Sequence, residues 1–121
     1  MDPTSALRHL LFSRCRGYCE KCGWPLGTVW AMHHRKLRKH GGADTIENVL
    51  ALHHDCHNIV PDSVHQEPQW SYDHGFLVIA TGDPAATPVR LHGNKWVLLT
   101  ADGKYQHLTE EEAHAAQLDA F

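Results

Sequence analysis

The sequence predicts an α+β chain: a cysteine- and histidine-knuckled N-terminal module, then a small β-rich appendage, then a closing helix. Three observations predict it. Cys19-Glu-Lys-Cys22 and His53-His-Asp-Cys56 are two ligand-type pairs separated by thirty residues. Beyond residue 74 the apolar residues fall in short runs punctuated by turn dipeptides. Thr109 with Glu112 three residues on is the capping box of a final helix. The length, 121 residues with 42% hydrophobic and 21% charged, suits one small domain with an appendage and excludes a large enzyme with its own cofactor domain.

Taken in order, residues 4–14 read as a short amphipathic helix. Leu7, Leu10 and Leu11 recur at helical spacing after Thr4 or Ser5 as N-cap. The knuckle follows, then a β-prone run from Gly27 to Met32, then His33-His34 and a basic loop ending in Gly41-Gly42. Val49 to Leu52 is apolar, and His53 onward opens a short helix that Pro61 stops. Residues 61–74 read as a linker or wrapping loop. In the appendage Phe76 to Ala80 is a β-prone apolar run, and Gly93-Asn94 is a two-residue hairpin turn between Val89–Leu91 and Lys95–Thr100. Asp102-Gly103 turns the chain into Tyr105–Leu108, and the final helix spans about 110–119. The division is set after residue 67, with a module over 1–67 and an α+β appendage over 68–121.

Net charge is −3, but it is unevenly placed: residues 1–60 hold eight Lys/Arg against five Asp/Glu, residues 61–121 three against nine. A basic front and an acidic rear suit a polyanionic partner. No apolar stretch is long enough to span a bilayer and no leader pattern opens the chain, so the expectation is a cytoplasmic protein without a membrane partner.

The two ligand pairs offer the four soft or borderline donors that a closed tetrahedral zinc site needs. The preferred set is Cys19, Cys22, His53 and Cys56, with Cys15 and His54 as alternative members. In a module with few large apolar residues, a structural Zn2+ supplies stability that the core lacks.

Twelve histidines are the compositional outlier. His57 adjoins Cys56, so on a helix the two point about 100° apart and can serve different sites. His33 and His34 run straight into Arg35, Lys36, Arg38 and Lys39, the candidate DNA-binding cations. Paired imidazoles, a third from a helix and a cationic loop suit metal-assisted attack on a phosphodiester. His9, His40, His65, His74, His92, His107 and His114 show no partner pattern and receive no role.

In that order, CEKCG, MHHRKL and GGADTIENVLALHHDCHN resemble the HNH endonucleases, whose fold is ββα-metal. The resemblance covers roughly residues 14–60 and rests on His34, Asn48 and His57. The whole chain, including PVRLHGNKWVLL, is similar to small HNH proteins of actinobacterial phages. What the resemblance implies is a catalytic set of His34, Asn48 and His57. His33 and His57 would hold the catalytic divalent metal, His34 would act as general base, and Asn48 would hold the histidine-bearing loop in shape. A hydrated Mg2+ or Mn2+ is the expected ion, with Ni2+ or Zn2+ as alternatives. The implied products are a 5′-phosphate and a 3′-hydroxyl. Two departures stand out. The family's second zinc pair is usually C-x2-C, whereas here it begins with His53. Some relatives add a ligand four residues after the last histidine, where this chain has Pro61, so water or substrate is expected to complete the sphere.

The expected function is thus a metal-dependent DNA endonuclease, in a bacterial host cell if phage-encoded, with phage terminase subunits as further partners that the resemblance suggests. The alternative is a non-catalytic, zinc-stabilised DNA-binding or terminase-accessory protein.

Overall fold

The computed structural model describes residues 3–59 and 63–120; Pro61, the expected helix stop, lies outside them. Helix α1 runs Pro3–Cys15, so Thr4 and Ser5, the expected caps, lie within its first turn, and it buries Leu11 completely. Arg16 and Gly17, both at positive φ (56° and 80°), end it and turn the chain into the knuckle. There Tyr18 and Pro25 form an antiparallel bridge, and the Cys19 amide donates to the Trp24 carbonyl at 2.8 Å. Gly23 sits at φ +81°, and a Cβ there would lie 2.8 Å from the His92 ring, so only glycine fits this turn.

Strands β1 (Ala31–His34) and β2 (Val49–Leu52) pair antiparallel, with His33 opposite Leu50 and His34 opposite Val49. The strand therefore begins later than the expected Gly27 run and carries both histidines. All four residues of β2 are fully buried. A short helical turn, Asp55–Ile59, follows β2 and completes the ββα core.

The stretch expected to be a linker contains helix α2 (Pro68–Asp73), whose proline occupies the first turn, where its missing N–H costs nothing. Phe76 to Ala80 is not a strand. Its polar backbone groups go elsewhere: the Phe76 and Leu77 amides to the Ser71 carbonyl, the Val78 amide to the Arg35 carbonyl. A three-stranded meander then forms from β3 (Val89–Leu91), β4 (Lys95–Leu99) and β5 (Tyr105–His107). Gly93 and Asn94 both have positive φ, yet the loop has three residues, because Leu91 pairs with Lys95. The His92 amide leaves the ladder for the Glu20 carbonyl at 3.3 Å, which accounts for the extra residue. Helix α3 (Glu110–Ala120) opens on the reciprocal capping box, Glu112 amide to Thr109 Oγ1 and Thr109 amide to Glu112 Oε1.

One hydrophobic cluster joins Leu11, Leu26, Val49 to Leu52 and Val64 with Phe76, Val89, Leu91, Val97 and Leu99. The division after residue 67 therefore cuts a shared core, and the segment 68–121 is packed into the module rather than hung on it. Among the described residues no helix is long and apolar enough to cross a membrane.

Arg35 ties the two segments most firmly. It is fully buried, and its guanidinium donates to the carbonyls of Gly75, Glu47, Pro84 and Thr87. Burial without a carboxylate partner pulls its pKa down to about 9, so it stays a cation solvated by peptide dipoles. This corrects its assignment as a DNA contact: Arg35 has no surface to offer a phosphate. Arg35→Met should destabilise the whole zinc-loaded chain by roughly 2–5 kcal/mol, because buried carbonyls lose their donors. Urea denaturation checks this; an unchanged midpoint with weakened DNA binding would contradict it.

Candidate metal centres

The ββα core brings together two clusters of metal-ligating side chains. In the first, the ligand atoms of Cys19, Cys22, His53 and Cys56 all lie within 4.8 Å of one another. His53 Nδ1 is 3.3 Å from Cys22 Sγ and 3.8 Å from Cys56 Sγ. Tetrahedral zinc at ordinary bond lengths sets a sulfur and a nitrogen about 3.5 Å apart, so the donors fit the ion. His53 Nε2–H donates to the Pro25 carbonyl at 2.8 Å, which leaves the lone pair on Nδ1, facing the sulfurs. His54 is exposed and outside the cluster, and Cys15 is buried with its thiol hydrogen-bonded to the Phe12 carbonyl. Neither alternative ligand is therefore placed at the knuckle. The thiols compete for charge. A hydrogen bond from Cys56 draws Cys19 down to about 4, while that bond pushes Cys56 up and burial beside Cys19 raises Cys22. A dication would let all three carry charge together.

The second cluster is His33, His57 and His65. Their ring centroids lie 4.6–5.3 Å apart, and His57 Nε2 is 3.0 Å from His65 Nε2. Two nitrogens bound at right angles to one ion at 2.1 Å would be about 3.0 Å apart, so this donor set also fits a metal. His33 is 1% exposed, and its Nε2–H donates to the Phe76 carbonyl at 2.6 Å, leaving Nδ1 as the basic nitrogen. Burial above all holds His33 near 3, with His57 and His65 adding to the effect, and burial likewise brings His57 to about 4. Burial lowers His65 as well. All three rings are therefore neutral at physiological pH, as ligands must be.

The sequence pattern assigns His65 no role and leaves water or substrate to fill the place where Pro61 stands. The chain instead doubles back: the Val64 amide donates to the Cys56 carbonyl at 2.8 Å and the His65 amide to that of His57 at 3.1 Å. The one sequence signal is Val64, an isolated apolar residue that anchors this return by full burial.

His34 is the neighbour of His33 on β1, and alternation sends it to the other face. It is not in the cluster. Its Nε2–H donates to Asp44 Oδ1 at 2.7 Å, and Asp44 also accepts from Arg38 at 2.9 Å. These two donors, His34 foremost, hold the Asp44 carboxyl below its usual range. In the neutral ring His34 Nδ1 is then the nitrogen able to take a proton. Asn48 is 1% exposed and clamps the intervening loop: Oδ1 accepts from the Lys36 amide, and Nδ2 donates to the carbonyls of Lys36 and Ala43. Of the remaining basic-loop residues, Lys36 donates to the Gly82 carbonyl, Arg38 pairs with Asp44, and Lys39 is exposed.

Residues 19–63 match the family model described as HNH endonuclease, a span that holds the zinc-type cluster, His33, His34, Asn48 and His57 and stops two residues short of His65. No curated protein and no solved structure matches the chain. Residues 19–63 are thus similar to an HNH endonuclease domain, within an α+β fold extended by a meander and a C-terminal helix.

Proposed function

We propose that the protein is a metal-dependent DNA endonuclease that hydrolyses phosphodiester bonds, with His34 as general base. The observation that carries this reading is the pair of unlike clusters on one small core. One is closed by three sulfurs and a nitrogen, as a structural site is; the other has three neutral imidazoles, which leaves coordination positions for substrate. A simple zinc-stabilised binding module has no use for the second.

His33, His57 and His65 would hold a divalent ion, which would supply Lewis acidity for phosphodiester hydrolysis. The chain's own residues do the rest. His34 is the last residue of β1, so the turn into the following loop must carry its Nδ1 round to the attacking water whose proton it would accept, and Asp44 fixes the tautomer and orientation of its ring. Asn48 keeps the loop that carries Asp44 in register with β1. Attack at phosphorus with loss of O3′ leaves a 5′-phosphate and a 3′-hydroxyl. A third imidazole favours Mn2+, Ni2+ or Zn2+ over Mg2+, which prefers oxygen. Action in phage genome processing beside terminase subunits, in the host cytoplasm, belongs to the same proposal and rests on the resemblance of the motifs.

Two predictions test this reading. The zinc-loaded protein should contain one tightly held zinc per chain, and Cys56→Ser or His53→Ala should leave it substoichiometric and unfolded, while His54→Ala keeps it. Elemental analysis with circular dichroism measures this; full zinc in His53→Ala would mean another ligand set. In supercoiled-plasmid cleavage, His34→Ala should lose roughly 10²–10⁴-fold in rate, with zinc content unchanged and no rescue by excess metal. His65→Ala should lose activity at low metal and regain it as metal rises. Near-wild-type cutting by His34→Ala would sink the mechanism, and indifference of His65→Ala to metal concentration would remove His65 from the site.

A further inference from the structure

The acidic half of the chain contains only three Lys/Arg: Arg90, Lys95 and Lys104. Two of them, Lys95 and Lys104, line one cleft of about 680 Å³, together with Arg16 from the end of α1. The cleft lies between α1, the knuckle and the meander, and it shares no residue with either metal cluster. His92 and His107 also line it, and no Asp or Glu does. Arg14 reaches it too, but its guanidinium is spent on Glu20 and two carbonyls.

Arg16, Lys95 and Lys104 are all exposed, and among the described residues none has an ion pair. The nearest acid in sequence, Asp102, accepts from Thr100 Oγ1 on its own turn. Each cation is also presented by rigid backbone. Lys95 opens β4, and the Lys104 turn is closed by the Thr100 amide donating to the Lys104 carbonyl. Arg16 holds a left-handed φ of 56° in the turn that ends α1. A concave site lined by one sign of charge focuses its field and concentrates anions. Tyr18, 48% exposed, adds a flat ring to the same wall.

We infer that this cleft binds the phosphodiester backbone of a nucleic-acid duplex, with Arg16, Lys95 and Lys104 each meeting a phosphate. The choice of polyanion rests on the endonuclease reading; the charge geometry does not. On this account the meander widens the DNA footprint beyond the HNH domain, on a surface that neither metal cluster shares.

The test is fluorescence anisotropy of a short fluorescein-labelled DNA duplex against full-length, zinc-loaded protein without added divalent metal, over a range of salt. The double variant Lys95→Gln/Lys104→Gln should flatten the slope of log K against log salt by about 1.8 units, at about 0.9 per lost phosphate contact. Lys95→Arg/Lys104→Arg should keep the wild-type slope, and zinc content and melting temperature should be unchanged in both, since both side chains are exposed. If the wild type binds and cuts DNA while the Gln variant keeps its slope, the cleft proposal fails alone. If the wild type binds no duplex at any salt, the endonuclease reading fails with it.

Discussion

A single buried carboxylate, that of Glu20, is the constraint on which the rest of the arrangement depends. It is 1% exposed and accepts from Arg14 Nε and Nη2, from the Ala51 amide and from the Tyr105 hydroxyl. A buried charge is tolerable only when its lone pairs are filled, so α1, β2 and β5 must all meet at this point. Its main chain is engaged as well, with the amide donating to the Ala51 carbonyl and the carbonyl accepting from His92. Because Glu20 lies between Cys19 and Cys22, fixing it fixes the knuckle against β2. The end of β2 then delivers His53, Cys56 and His57 to their two clusters.

Arg35 does the complementary work on the other side of the core. Having no carboxylate, it gathers carbonyls from residues 75–87 and draws that stretch against β1. The same approach places the Phe76 carbonyl on His33, which selects the ring nitrogen left for a ligand. The segment beyond residue 67 therefore shapes the histidine cluster directly. His65, which the HNH match does not reach, supplies one of its three rings.

What was legible in the sequence was local. Ligand pairs separated by two residues, a capping box and an unbroken apolar run each announce themselves within a turn or a strand. Cys19, Cys22, His53 and Cys56 come together in space for that reason, as does the Thr109–Glu112 cap. What was not legible depended on distant partners. Arg35 reads as one more cation in a basic loop until forty residues of chain return to cover it. Phe76 to Ala80 has strand composition, but its amides are claimed by Ser71 and Arg35. Asp44 is an ordinary loop acid until β1 sets His34 beside it. His65 carries no periodic signal, since only the return of Val64 to Cys56 brings it near His57.

The central claim is that His33, His57 and His65 form one metal site distinct from the cysteine-lined cluster. Crystals of the zinc-loaded protein grown with Mn2+, with anomalous data at the manganese and zinc edges, test it most directly. The account predicts zinc among Cys19, Cys22, His53 and Cys56, and manganese bonded to all three histidines at about 2.1 Å. A manganese peak held by His33 and His57 with His65 turned away, or no manganese there at all, would contradict it.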